Sequence, residues 1–215
     1  MIFKNTQLGG KCLKKKRELE NKLITRLSSS LVDVISSTRI RPIDLTLTSF
    51  LLALSSSSTY YFSRENVYFY FLAGSLLLLS GFLDALDGAV ARKKNMETQI
   101  GAFLDSTLDK IGEAAVFIGL IASEATTPLL GSLGLASSIL ISYTRSRAEG
   151  LNVDLKGVGL MERAERIVLL VVASFLEPFF RGVINLTMIV LVILSLYTLV
   201  QRILYVSRIL SQRLS

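Results

Sequence analysis

The chain of 215 residues contains no histidine and only one cysteine, Cys12. Without histidine, His-ligated metal sites and imidazole acid–base chemistry are excluded. One cysteine cannot close an internal disulfide. The N-terminal stretch lacks an apolar core followed by a small-residue cleavage site, so no signal peptide is expected. Internal repeats and low-complexity tracts are also missing.

Apolar residues are what the chain has in abundance. It is 51% hydrophobic, with a mean hydropathy of +0.52, and the apolar residues fall in long runs. A spanning helix needs about 20 mostly apolar residues. Six stretches approach that length, near residues 43–62, 67–91, 99–123, 127–143, 167–180 and 183–205. The fifth is short unless it extends toward Arg163 and Arg181. The expected fold is an all-α integral membrane protein with six transmembrane helices in one compact domain, residues 41–208. Residues 209–215 are expected to form a short cytoplasmic tail.

Residues 1–40 precede the spans. Lys11, Lys14, Lys15, Lys16 and Arg17 form a basic cluster, and Leu23, Ile24, Leu27, Leu31, Val34 and Ile35 recur at helical spacing. This pattern predicts an amphipathic helix on the membrane surface, anchored by anionic lipid or forming part of a headgroup site. Arg41-Pro42 then ends the pattern, and the first span begins at once.

The net charge of +7 reads as topology. With both termini in the cytoplasm, only Arg64 and Arg181 of the 24 Lys and Arg residues fall on the far side. This is the asymmetry of the positive-inside rule. The basic residues flank hydrophobic spans, so nucleic acid is not an expected partner, and the expected location is the cell (plasma) membrane.

Carboxylates inside spans are costly and point to function. Asp84 and Asp87 are three apart and Asp105 and Asp109 four apart, so each pair shares one helix face. The short connection over residues 92–98 predicts that the second and third spans are antiparallel neighbours. It also puts both pairs at the same, cytoplasmic end. Four converging carboxylates repel unless a cation neutralises them. All-oxygen ligands without His or Cys indicate Mg2+ or Mn2+, with room for two ions. Gly88 and Gly101 remove side chains where helices or a bound phosphate approach, and Arg92 is placed to hold a phosphate. Interhelical salt bridges to Arg92, Lys93 or Lys110 explain single pairs but not all four aspartates with both glycines.

The run Asp84-Ala-Leu-Asp87-Gly88-Ala-Val-Ala91-Arg92, eight residues, Gly101, three residues, Asp105, three residues, Asp109 resembles the signature of the CDP-alcohol phosphotransferases. That resemblance implies cleavage of a CDP-linked donor, transfer of its substituted phosphate to an alcohol and release of CMP. It assigns Asp84, Asp87 and Asp105 to the metals, with Asp109 as a further ligand and as the base that deprotonates the acceptor. It places Gly88, Ala91 and Arg92 around the CDP group with Asp84, and Pro42 and Thr46 at the start of the first span. Asp44 stands where the family often has asparagine.

A second constellation bears on the acceptor. Ser142-Tyr-Thr-Arg145-Ser-Arg147-Ala-Glu149 closes the fourth span, and Glu162-Arg163-Ala-Glu165-Arg166 opens the fifth. Ser142, Arg145, Arg147 and Arg166, with Arg202 from the sixth span, are expected to bind the acceptor's phosphate, whereas Arg163 is read as an arginine snorkelling at a helix end. These segments are similar to the family branch that uses inositol 1-phosphate, with Arg145 and Ala164 in place of its lysine and proline. The resemblance implies a CDP-lipid donor, with overall likeness favouring an archaeal ether lipid, and a homodimer in membrane lipid. Glycerol 3-phosphate as acceptor and CDP-inositol as donor are rivals within the family. A divalent-cation carrier is the rival outside it, but the polar path on these helices stops at Glu113.

Overall fold

The computed structural model describes residues 31–214, and these form helices, turns and loops without strands. The basic cluster at residues 11–17 and the helical spacing of Leu23, Ile24 and Leu27 lie outside the described residues. Six long helices follow a short helical segment over residues 31–37: α1 (Pro42–Phe62), α2 (Phe69–Lys94), α3 (Gln99–Ala122), α4 (Pro128–Glu149), α5 (Arg163–Leu176) and α6 (Val183–Leu214). Two of them, α2 and α6, are long and apolar enough to cross a membrane by length and composition. The others carry more hydroxyl and charged residues.

Local chemistry sets the helix ends. Pro42 occupies the first turn of α1, and the carboxylate of Asp44 accepts the Arg41 backbone N–H (3.0 Å). Thr98 caps α3 by accepting from Gly101 N–H (3.0 Å), and Thr127 caps α4 ahead of Pro128. Asn95, left-handed at φ 52°, stops α2 after three basic residues. Helix α5 reaches back to Arg163 but stops at Leu176, ahead of Glu177-Pro178. There Glu177, buried, accepts Gly182 and Ile184 N–H (2.7 Å each) and ties the turn to the start of α6.

The helices close into a ring. α1 packs on α2 and α3, α2 on α5, α5 on α6, α6 on α4, and α4 returns to α3. This corrects the expectation for the second and third spans. Although only residues 95–98 join them, α2 and α3 do not pack along their lengths, and both lean on α1. The connection holds their ends close, so the helices diverge around a cleft that a ligand can fill.

Close packing comes from small residues. A Cβ on Gly119 of α3 would sit 2.5 Å from the Ser57 carbonyl oxygen of α1, and Ser57 Oγ donates to Ala115 O across the same seam (2.5 Å). On α2, a Cβ on Gly74 would come within 2.9 Å of Ser174 Cβ on α5. Buried hydroxyls add bonds between helices. Ser49 and Ser80 each donate to the other's carbonyl (2.9 Å), Ser56 donates to Ala73 O (2.8 Å), and Tyr60 OH meets Ser174 Oγ (2.6 Å). The apolar core around Tyr60, Leu77, Phe117, Leu120, Met188 and Leu191 lies on the side of the bundle away from the aspartates.

At the aspartate end, the 31–37 segment is pinned to α2. Lys93 pairs with Asp33, Lys94 donates to Thr38 and Ile40 carbonyls, and Val32 packs with Leu45, Leu86 and Val90. Helices α4 and α6 run further than their apolar stretches. α6 continues unbroken past residue 208, and Ile209 and Leu210 pack on the cluster formed by Ala148 of α4 with Val153 and Leu155 of the 150–162 connection.

Replacing Gly119 with leucine forces α1 and α3 apart at the Ser57 carbonyl. Overpacking of this kind costs about 1–3 kcal/mol, which at this chain length lowers the melting temperature by about 2–4 °C per kcal/mol. Thermal unfolding of Gly119→Leu in detergent is therefore expected several degrees below the parent, and an unchanged melt would contradict the seam.

Candidate active site

The last three turns of α2 and the first three of α3 carry the four aspartates. One carboxylate oxygen from each of Asp84, Asp105 and Asp109 lies within 4.8 Å of the other two. Asp87, nine-tenths buried or more, is turned toward α1, where Thr46 Oγ1 donates to its Oδ2 (2.6 Å). That bond is possible because α1 lies between the diverging α2 and α3. The aspartates do converge, but as a trio with Asp87 beside it.

Asp87 and Asp105 face a cavity of about 370 Å³ that opens between α1, α2 and α3. Pro42, Thr46, Gly88, Ala91 and Arg92 all line it. A Cβ on Gly88 would meet only the Arg92 guanidinium, at 3.5 Å, and one on Gly101 only its own cap Thr98, at 3.0 Å. Neither glycine serves a helix–helix approach. Of the two readings of these glycines, the room they leave is room for a ligand.

The polar lining residues Arg41, Glu97 and Thr98 were not singled out by the sequence. Arg41 is held at the rim by Asp44, which accepts from its Nε (3.3 Å) and its terminal nitrogen (3.0 Å). The Asp44 position therefore acts through Arg41, and the Arg-Pro-x-Asp spacing was the available signal.

The carboxylates fit a hard divalent cation. Their donors are all oxygens, and Asp105 Oδ1 is buried without a hydrogen-bond partner. Two of the four carboxylates share one part-buried cation. Arg163 NH1 donates to both Asp84 Oδ2 and Asp109 Oδ2, at 2.5 Å each. Its side chain is 20% exposed, so Arg163 is not snorkelling at a helix end. The sequence offered only its place in Glu162-Arg163-Ala-Glu165-Arg166, three residues before Arg166 on one face of α5.

The five residues expected around the acceptor lie elsewhere. Arg166 is 2% exposed, with Nε on Glu113 (2.7 Å) and NH1 on Met161 O (3.3 Å); Lys110 holds the other Glu113 oxygen (2.7 Å). Arg202, also buried, donates to the Val158 (3.0 Å) and Ile141 (2.8 Å) carbonyls and lies 3.6 Å from Glu162. Arg145 is exposed and paired with Glu149 (2.9 Å), Arg147 is exposed, and Ser142 donates to Ser138 O (3.2 Å). None of the five borders the 370 Å³ cavity.

Known proteins resemble this chain in sequence and fold. The family model for CDP-alcohol phosphatidyltransferase matches residues 39–210. An archaetidylinositol phosphate synthase of Methanothermobacter thermautotrophicus is 39% identical over 81% of this chain and 88% of its own. That of Pyrococcus horikoshii is 34% identical over 79% and 85%. Among solved structures, Mycobacterium tuberculosis phosphatidylinositol phosphate synthase with CDP-DAG bound superposes with a TM-score of 0.68 at 26% identity, covering 86% of this chain and 94% of that one. The same enzyme has been solved in complex with manganese and citrate, again with a TM-score of 0.68. With 172 consecutive residues inside the family model, from 39 to 210, and the aspartates gathered at one cleft, this chain belongs to the CDP-alcohol phosphatidyltransferase family.

Proposed function

We propose that this enzyme transfers the lipid-phosphate group of a CDP-linked lipid to inositol 1-phosphate and releases CMP. The observation that carries the reading is the cavity floored by Asp87 and Asp105, with Arg41 and Arg92 at its rim. Its polar floor suits a metal-bound pyrophosphate, and its size suits a nucleotide. The archaetidylinositol and phosphatidylinositol phosphate synthases among the relatives support the choice of acceptor. The two archaeal relatives favour an ether-lipid donor.

The family likeness supplies the reaction, and the residues are assigned to it as follows. A hydroxyl oxygen of the acceptor attacks the lipid-side phosphorus. The bond from that phosphorus to the bridging oxygen breaks, and CMP leaves with the bonding electrons. Asp84, Asp87, Asp105 and Asp109 would hold Mg2+ or Mn2+, as two ions, and the metal would supply charge neutralisation on the pyrophosphate. Thr46 fixes the orientation of Asp87. Gly88 leaves room beside the phosphates, and Arg92 and Arg41 offer guanidinium donors to their oxygens. Asp109 takes the proton of the attacking hydroxyl. Ser142, Arg145 and Arg147, at the same end of the bundle, meet the acceptor's phosphate, while Arg166 and Arg202 serve it by fixing α5, α6 and the 150–162 connection.

The same reading has all six helices crossing the membrane, with both termini and the site in the cytoplasm and residues 1–40 on its surface. Exposed Leu51, Ile118, Leu186 and Ile193 give the ring an apolar outer face. Exposed Tyr61, Phe62, Tyr68, Phe179 and Phe180 gather at the end opposite the aspartates, as at a lipid–water interface. Assembly as a homodimer in the cell membrane is carried by the family likeness alone.

The deciding experiment is CMP release by purified protein with a CDP-lipid and Mg2+, comparing inositol 1-phosphate, glycerol 3-phosphate, free inositol and serine. Release is expected with inositol 1-phosphate, lost with EDTA and restored by Mg2+ or Mn2+. Release with glycerol 3-phosphate alone would reject the acceptor and keep the chemistry. Asp87→Asn is expected to lower turnover at least about a hundredfold, the equivalent of several kcal/mol of lost charge stabilisation, with an unchanged melt. Full activity in that variant would reject the carboxylate mechanism.

Thr46→Val removes the hydroxyl while keeping the shape of the side chain. Loss of a bond that orients a metal ligand is expected to raise the Mg2+ concentration for half-activation by roughly 10–100-fold. An unchanged Mg2+ dependence would show that Asp87 needs no such support.

A further inference from the structure

Helix α5 carries two arginines three residues apart, and they are held very differently. Arg166 is buried, with its donors on Glu113 and on the Met161 carbonyl. Arg163 is held through NH1 alone, which bridges Asp84 and Asp109. Its Nε is buried and has no hydrogen-bond partner. A structural arginine of this depth normally satisfies its fork of donors. Arg163 is instead attached at one nitrogen, to two carboxylates from different helices.

The position of that nitrogen matters. At 2.5 Å from both Oδ2 atoms, it takes the point between them. A divalent ion needs oxygens at about 2.0–2.1 Å for Mg2+, so it cannot use this pair of oxygens together while NH1 stays there. The two cations also repel each other.

On the reading that these aspartates bind metal, we propose that Arg163 is a resident counter-cation that competes with the divalent ion for Asp84 and Asp109. Without metal, it holds the two carboxylates together and offsets part of their repulsion. Loading displaces NH1 from between them, and the unpartnered Nε means that little else is broken. The exchange lowers the affinity for metal below what the carboxylates alone would give. Arg163 is thus a positioning residue that acts through the carboxylates.

The test reads metal binding rather than turnover. Full-length protein in detergent, stripped with EDTA, is titrated with Mn2+ by electron paramagnetic resonance of the free ion, and its melting temperature is measured with and without Mn2+. For Arg163→Gln, the metal-free melt is expected to fall, Mn2+ to bind several-fold tighter, and the Mn2+-induced rise in melting temperature to grow. Arg163→Lys, which keeps a positive charge at lower reach, is expected between the two and decides the matter if the glutamine variant does not fold. A merely structural role predicts lower stability together with weaker binding. Affinity unchanged or weakened in the folded variants, with the parent binding normally, overturns the competition. A parent that binds no Mn2+ removes the metal reading and this inference together.

Discussion

The structure is organised around the repulsion between carboxylates that two helices force together. In a bundle interior, charge interactions are only weakly screened, and α2 and α3 bring four aspartates into one cleft. The scaffold has to hold that arrangement against its own electrostatics. It does so by anchoring both helices to α1 rather than to each other. Gly119 and Ser57 close one side of α1, and Ser49 with Ser80 lock the other. The two helices then present their aspartates to a shared space without collapsing on it. Thr46, on the helix between them, takes one carboxylate, and Arg163, from α5, takes two.

This constraint divides the bundle along its length. At the aspartate end, charges are paired across helices, Arg163 with Asp84 and Asp109, Arg166 with Glu113 and Lys93 with Asp33, while Lys110 joins Glu113 from within α3. At the other end, hydroxyl-to-carbonyl bonds and small residues take over, as at Ser56 and Ala73 or Tyr60 and Ser174. The serine-rich run Ser55–Ser58 lowers the apparent hydropathy of α1, yet its hydroxyls are absorbed by carbonyls one turn back or on a neighbouring helix. A helix can therefore sit in this ring without passing a test of composition, and only α2 and α6 pass it.

What was legible in the sequence was local. The spacing of Asp84 with Asp87 and of Asp105 with Asp109 fixes shared helix faces, and the short 92–98 connection brings the pairs to one end. The Arg41-Pro42 break marks the start of α1, and the apolar runs place the starts of α3 and α4 within a residue or so. What escaped depends on partners far along the chain. Nothing local distinguishes Arg163 from Arg166, because both lie on one face of α5; only the tertiary packing sends one to Asp84 and Asp109 and the other to Glu113. Arg202 seemed available to an anion but is taken up by the carbonyls of residues 141 and 158. A short link between α2 and α3 suggested direct packing, whereas a short link constrains only the ends that it joins.

The charge pattern also orders events at the site. The cavity has two carboxylates on its floor and guanidinium groups at its rim. A CDP-linked donor arrives as an anion, so Arg41 and Arg92 attract it while Asp87 and Asp105 repel it at closest approach. A divalent ion on the floor reverses the second effect and leaves the first intact. The proposed enzyme therefore gains its affinity for the donor's pyrophosphate when metal is already bound. Arg163 contributes positive charge to the neighbouring pair, Asp84 and Asp109, from the α5 side and outside the cavity lining, where it steadies the aspartates without reaching the donor.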